Sequence, residues 1–174
     1  MYKRQALEFL ILTAARSGEV LNAQWQEIDL EGRVWTVPAH RMKARREHRV
    51  PLTGATMAVL EPLKEARVSE FVFPGQKLDH PLSNMALAML MRRMKIENAT
   101  PHGFRSSFRD WAGDETTFPR EVAEGCLAHK VGNEVERAYR RGDALEKRRE
   151  LMAAWESYCK NEMAGNVVRL KPRA

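Results

Sequence analysis

Apolar residues crowd the start of the chain: Ala6, Leu7, Phe9, Leu10, Ile11, Leu12, Ala14 and Ala15 leave little polar surface between Gln5 and Ala15. A run of that length and composition predicts a buried helix. It ends in ARSGEV, where Ser17 can cap a second helix that carries Glu19 in its first turn and continues from Val20 to Trp25. Glu31-Gly32 predicts a turn. Val34-Trp35-Thr36-Val37 is β-branched and aromatic, so it predicts a strand, and Pro38 stops it. His48 to Leu52 predicts the partner strand, with Pro51 placing it at an edge or near its end.

Thr53 is positioned to cap a helix running to about Arg67, with Met57, Leu60 and Leu63 at helical spacing and Pro62 expected to kink or shorten it. Glu70 to Phe73 predicts a third short strand closed by Pro74-Gly75. Ser83 caps the next helix, ALAMLMRRMK, and Met85, Met89, Met91 and Met94 read as core filler. Three helices follow, His102 to about Gly113, Pro119 to about Leu127 and Asn133 to about Arg141, with Pro119 suited to a first helical turn. A last helix runs from about Ala144 to Met163. Its apolar stripe is Leu145, Leu151, Met152, Trp155, Tyr158 and Cys159, and Glu146 to Glu150 is its solvated face. The pattern as a whole predicts a mainly α, α+β domain. A small antiparallel sheet is expected near residues 33–52 and a short strand near 71–73. Asn166 to Ala174 is a basic tail without a core.

Composition narrows the class. The 174 residues suit one domain, and 44% apolar with 30% charged is ordinary globular usage. A net charge of +6 favours a polyanionic partner, with nucleic acid ahead of an acidic membrane surface. No apolar run is long enough for a membrane span, and no signal peptide is evident. Cys126 and Cys159, far apart, read as free thiols in a reducing compartment. The chain enters a helix almost at once, which suggests a domain cut from something longer.

The candidate chemistry lies mostly in PHGFRSSFRDWAGDETTFPREVAEGCLAHKVGNEVERAYRR, from Pro101 to Arg141. His102 and Arg105, three apart, share a helix face. His129 and Tyr139 follow, ten apart. A guanidinium to hold oxygens, imidazoles to move or share protons and a phenol to attack suit chemistry on a phosphate. Arg16 follows directly on the first apolar wall, where its charge must be paired or face a cavity. The bland reading is a surface arginine paired with Glu19. AHRMKARRE, between the two strands, carries Arg41, Lys43, Arg45 and Arg46 against a single Glu47. It is either a solvated loop or a basic tip shaped for a nucleic-acid groove. Lys43 on such a tip can act as an acid, a role for which arginine's pKa is too high. Each remaining residue has its own bland reading. His102 could cap its helix, Arg105 could pair with Asp110, His129 could be a satisfied buried histidine, and Tyr139 one more amphipathic core residue.

In order, Arg16 in AARSGEV, Lys43 in RMKARREHRVPL, His102 and Arg105 in HGFR, His129 in LAHK and Tyr139 in AYRR resemble the catalytic domain of tyrosine recombinases, the phage integrase family. The likeness is greatest to integrases of satellite phages and genomic islands, and it runs from about Ala6 to Cys159. EIDL, VPL and VFP add structural matches. The resemblance implies a helical catalytic domain over residues 1–164 with a flexible basic tail at 165–174. The core-binding and arm-binding domains that the family places upstream are not in this stretch.

It also implies a mechanism. Tyr139 attacks a DNA phosphorus and becomes joined to the 3′ phosphate. Arg16, Arg105 and His129 hold the non-bridging oxygens, His102 assists at the tyrosine proton, and Lys43 protonates the departing 5′ oxygen. Glu19 is assigned to orienting Arg16 or a nearby histidine, and Arg41, Arg45 and Arg46 to DNA contact. No metal or other cofactor is expected. The implied partners are duplex attachment sites, further copies of the chain as a tetramer on DNA from a free monomer, and a bending or directionality factor, all in the cytoplasm. Two rival readings are a type IB topoisomerase and a non-catalytic DNA-binding relic or regulator.

Overall fold

The computed structural model describes residues 2–77, 79–129 and 142–160. Helix α1 (Tyr2–Thr13) carries the first apolar run, and the rest of the molecule is assembled around it. Phe9 and Leu10 are fully covered. The chain leaves α1 through Ala14, in the left-handed region at φ 49°, and enters α2 (Ser17–Leu21). This helix ends sooner than the pattern predicts. Trp25 belongs instead to a 3-10 turn over Trp25–Glu27.

Three short strands follow, β1 (Ile28–Asp29), β2 (Val34–Val37) and β3 (His48–Pro51), in an antiparallel sheet of order β1-β2-β3. Ile28 faces Trp35, Trp35 faces Val50, and Val37 faces His48. The third strand of the sheet is thus Ile28–Asp29, which precedes the 33–52 stretch where the pattern placed the sheet. The Gly32 N–H donates to Asp29 Oδ1 at 2.8 Å, closing the turn that folds Ile28–Asp29 back on β2. A Cβ at Gly32 would lie 2.3 Å from Asp29 Oδ2, so a larger residue there would displace the carboxylate that closes the turn. The strand expected near 71–73 is a single bridge between Phe71 and Gln24. Hydrogen bonds from Trp25 N–H to Glu70 O and from Val72 N–H to Ala23 O tie it to the stretch after α2 and away from the sheet.

The remaining described helices are α3 (Gly54–Glu65), α4 (Ala86–Arg93), α5 (Gly103–Asp114), α6 (Arg120–Cys126) and α7 (Leu145–Cys159). Pro62 sits inside α3, which continues to Glu65. Thr53 occupies the N-cap of α3 without a side-chain capping bond. The Ala55 N–H donates instead to Glu156 Oε2 of α7 at 2.9 Å, so a distant carboxylate serves as the cap.

Two apolar clusters share α1 as a wall. The first joins α1, α2, the sheet, α3 and α4, with Phe9 against Trp35 and Phe73 at ring separations of 5.3 and 5.6 Å. The second joins α5, α6 and α7, with Trp155 edge-on to Phe108 at 5.4 Å and against Trp111 at 5.1 Å. Ile11 packs against both, and its carbonyl accepts the Trp155 indole N–H at 2.8 Å.

Tertiary packing corrects two expectations. Met91 is buried, but Met85, Met89 and Met94 are exposed, because α4 turns only Ala86, Leu87, Leu90 and Met91 inward. In α7, Arg148 is buried although its neighbours are charged, since backbone carbonyls of Arg49 and Gly125 and the Asp143 carboxylate surround its guanidinium. Among the described residues no helix is long and apolar enough to cross a membrane. Both cysteines are free. The helix expected over 133–141, the end of the last helix beyond 160 and the tail lie outside the described residues.

Candidate active site

The site forms at the seam between the two clusters, where α1 and α6 both end. Carbonyls at a helix C-terminus lack partners within the helix and carry the negative end of its dipole, so they attract cations. Helix α6 stops in a Schellman arrangement. Ala128 is left-handed at φ 52°, its N–H donates to Gly125 O, and the His129 N–H donates to Glu124 O. The final carbonyls of α6 therefore point away from the helix, and basic side chains from four elements take them up.

Leu127 O accepts from Arg105 Nη2 at 2.8 Å and from Arg16 Nη2 at 3.4 Å. Arg105 Nη1 also donates to Ala14 O, at the end of α1. Cys126 O accepts from His48 Nε2 at 3.2 Å, and Gly125 O from Arg148 Nη1 at 3.4 Å. The positive φ at Ala14 and at Ala128 aims these carbonyls, and together they bring Arg16 and Arg105 to one point.

Burial, with the Arg16 charge next, lowers Arg105's pKa to about 10, while Glu19 opposes the shift. It remains a cation at neutral pH. Glu19, itself buried, braces Arg16 twice: Oε1 accepts from Nη1 at 2.8 Å, and Oε2 accepts from the Arg16 N–H at 3.0 Å. The bland reading of Arg16 is half fulfilled, since it pairs with Glu19 yet also reaches across the fold to Leu127. Arg105 does not pair with Asp110; its partners are Ala14, Leu127 and His129.

His129 joins the pair from the residue after Ala128. Its Nε2 lies 3.5 Å from Arg105 Nη2, and its side chain keeps 39% of its exposure, so it faces an opening. The other nitrogen, Nδ1, lies 2.5 Å from Glu124 Oε2. Arg16, Arg105 and His129, separated by up to 113 positions in the chain, thus converge beside Leu127 O. Two guanidiniums beside an imidazole, with one of the two already matched by Glu19, form an anion site suited to a tetrahedral oxyanion.

The other predicted residues do not join this hydrogen-bonded group. His102 is exposed at the N-cap of α5, where its side chain makes no capping bond, and among the described residues only its carbonyl is engaged, by the Arg105 N–H at 3.0 Å. Lys43 is exposed in the loop between β2 and β3, and Arg45 and Arg46 are exposed beside it. Arg41 corrects the picture of that loop. It turns inward, pairs with the buried Glu27 and donates to Glu19 O, so it belongs to the scaffold behind Arg16 and not to the tip. Tyr139 lies outside the described residues. Among the described residues no cluster of His, Cys, Asp and Glu could hold a metal ion.

Three residues of the arrangement escape a sequence pattern. Glu124 binds His129 and Arg109, whose Nε lies 2.8 Å from Oε1. Arg109 and His129 outweigh the opposing effect of burial, the largest influence, and hold the Glu124 carboxyl below its usual range. His48 and Arg148 secure the carbonyls preceding Leu127. Only the EGCLAH spacing, which puts Glu124 one turn and a cap before His129, hints at any of them.

Comparisons with known proteins bear on the family and the fold. The family model described as "Phage integrase family" matches residues 1–146. Prophage integrase IntA of Escherichia coli K12 is 39% identical over 163 residues, covering 91% of this chain. The chain spans only 39% of that relative's length. A lambda integrase(75-356) dimer bound to a COC′ core site superposes with a TM-score of 0.58 at 21% identity, over 75% of this chain and 50% of that one. A lambda integrase tetramer bound to a Holliday junction superposes with a TM-score of 0.57 at 23% identity, over 78% and 41%. Mainly helical with one small antiparallel sheet, and matched by a family model over most of its length, the chain belongs to the phage integrase family and has the fold of a tyrosine recombinase catalytic domain.

Proposed function

We propose that the chain is the catalytic domain of a site-specific recombinase that breaks and rejoins duplex DNA through a 3′-phosphotyrosine. The observation that carries this reading is the convergence of Arg16, Arg105 and His129 beside Leu127 O. A DNA phosphate there would replace the strained closeness of two cations with charge-assisted hydrogen bonds to its non-bridging oxygens. Tyr139 Oη would then bond to phosphorus as the bond from phosphorus to the 5′ oxygen breaks. His102 would take or share the phenol proton, and Lys43 would supply one to the leaving oxygen. Attack by a second 5′ hydroxyl reverses these steps and joins the new strand, so the bond energy is retained. About a thousandth of a free phenol is ionised at neutral pH, so both the proton acceptor and the oxygen-holding donors matter. The phosphorane oxygens fall to the preorganised guanidiniums. Replacing Arg16 by Lys would therefore slow cleavage by roughly 10²–10³-fold.

Duplex attachment sites as substrate and assembly as a tetramer on DNA are part of the proposal, which the fold shared with lambda integrase structures holding a core site and a Holliday junction supports. A bending or directionality factor completes the proposed set of partners.

The test is covalent trapping. The chain is incubated in EDTA with a nicked duplex or one carrying a bridging 5′-phosphorothiolate, alongside Tyr139→Phe, and resolved on a denaturing gel. A protein–DNA adduct in the wild-type lane, absent from Tyr139→Phe, is the expected outcome. No adduct, even after fusion to the part of the IntA relative that the chain does not span, would sink the catalytic reading and leave a DNA-binding relic. An adduct with relaxation of supercoils but no strand exchange would point to topoisomerase action.

A further inference from the structure

Glu124 is 7% exposed, and each of its carboxylate oxygens has a separate task. Oε1 accepts from Arg109 Nε at 2.8 Å and lies 3.7 Å from Arg120 Nε. Oε2 lies 2.5 Å from His129 Nδ1, while the Glu124 carbonyl accepts the His129 N–H at 2.9 Å. One residue thus holds both the backbone and the ring of His129. A carboxylate can only accept a hydrogen bond, so Nδ1 carries the proton. The guanidinium of Arg105 can only donate, so Nε2, 3.5 Å away, presents its lone pair. Both neighbours select the same tautomer, and they leave Nε2 as the nitrogen that faces the paired arginines.

We propose that Glu124 is a positioning residue for strand cleavage: it fixes the tautomer and aim of His129 and balances its charge when the ring donates to phosphate. The proposal rests on the recombinase reading. Proton uptake from solvent at Nε2 turns the ring into an imidazolium that donates at both nitrogens, one to Glu124 and one to a non-bridging oxygen. Such a charge-assisted bond is roughly twice as strong as a neutral one. Arg109, four residues after Arg105 on α5, anchors the carboxylate to the helix that supplies the buried arginine. Tautomer and ring orientation are therefore set through one α5–α6 contact.

Glu124→Gln discriminates. Arg109 claims the amide oxygen, so the amide NH2 faces Nδ1 and donates to it, and the ring proton moves to Nε2. Long-range 1H–15N spectra of histidine-labelled protein read this directly. Wild type is expected as the Nδ1–H tautomer, Glu124→Gln as Nε2–H, and Glu124→Asp as Nδ1–H again. In the trapping assay Glu124→Gln is expected to slow adduct formation roughly 10- to 100-fold, with DNA affinity within about threefold, and Glu124→Asp to recover most of the rate. A wild-type Nε2–H tautomer, an unchanged tautomer in Glu124→Gln, or an unchanged cleavage rate would each overturn the role. Should Glu124→Gln fail to fold, the wild-type and Glu124→Asp spectra decide, and Nε2–H in either overturns it. Wild type that forms no adduct, even when fused as above, defeats the recombinase reading and the catalytic role together. A cleaving wild type with an indifferent Glu124→Gln defeats the role alone.

Discussion

His48 is a histidine turned into scaffold. Burial, helped by the Arg148 charge, lowers its pKa to about 4, and it donates from Nε2 to Cys126 O as a neutral ring. The unfolded chain keeps an ordinary histidine pKa near 6.5. Between these values the unfolded state binds more protons than the folded one, so stability falls as pH drops from about 6.5 to about 4. At 1.36 kcal/mol per pKa unit the loss is roughly 3 kcal/mol. Urea unfolding across that range should show it, and His48→Gln, which keeps a donor but does not titrate, should flatten that limb. The neighbouring Cys126 thiol is pushed up to about 12 by burial, so it stays protonated and unreactive. At this scale residue types were readable in the chain: arginine, histidine and lysine suggested the phosphate chemistry proposed above. Their partners were not. Arg41 and Arg45 look alike in AHRMKARRE, yet one pairs with buried Glu27 and the other is exposed.

The site is built at the scale of elements from helix ends. The first apolar run, in α1, and the PREVAEGCLA run of α6 predict their helices, but where each stops decides what the arginines can grip. Ala14 and Ala128 take left-handed φ values that cost an L-residue roughly 1–2 kcal/mol and that glycine adopts freely. Ala128→Gly should therefore raise stability by about 1 kcal/mol, read from the urea midpoint, without moving Leu127 O. The same reasoning explains what the pattern misjudged. Glycine at a helix end is a signal in sequence, whereas alanine in that position is not, so the exact turn into His129 was illegible. Thr53 offered a conventional cap, but Glu156, 103 positions away, was closer to the α3 amides in the fold.

Across the whole molecule, α1 packs between two apolar clusters and lines the seam, and the net charge of +6 gives the surface its bias. Lysines and arginines that meet phosphates release counterions, each adding about one unit to the salt dependence of binding. Arg45→Ala and Arg46→Ala are each expected to weaken duplex binding evenly across sequences and to reduce the slope of log K against log salt by about 1. Arg41→Ala should leave that slope unchanged and lower the melting temperature, because it strands Glu27 in the interior.

By itself the sequence determined what depends on short-range order and residue type. The apolar runs set the helices, β-branched residues set β2 and β3, and an ordered set of residues marked the family and suggested the proposed chemistry. The tertiary structure alone decided which of equivalent charges face inward and which carbonyls orient the arginines. It also set which carboxylate reads His129. Those choices turn on contacts between positions as far apart as Arg16 and Leu127, and on the desolvation that comes only when two cores close around α1. A local pattern holds information about neither.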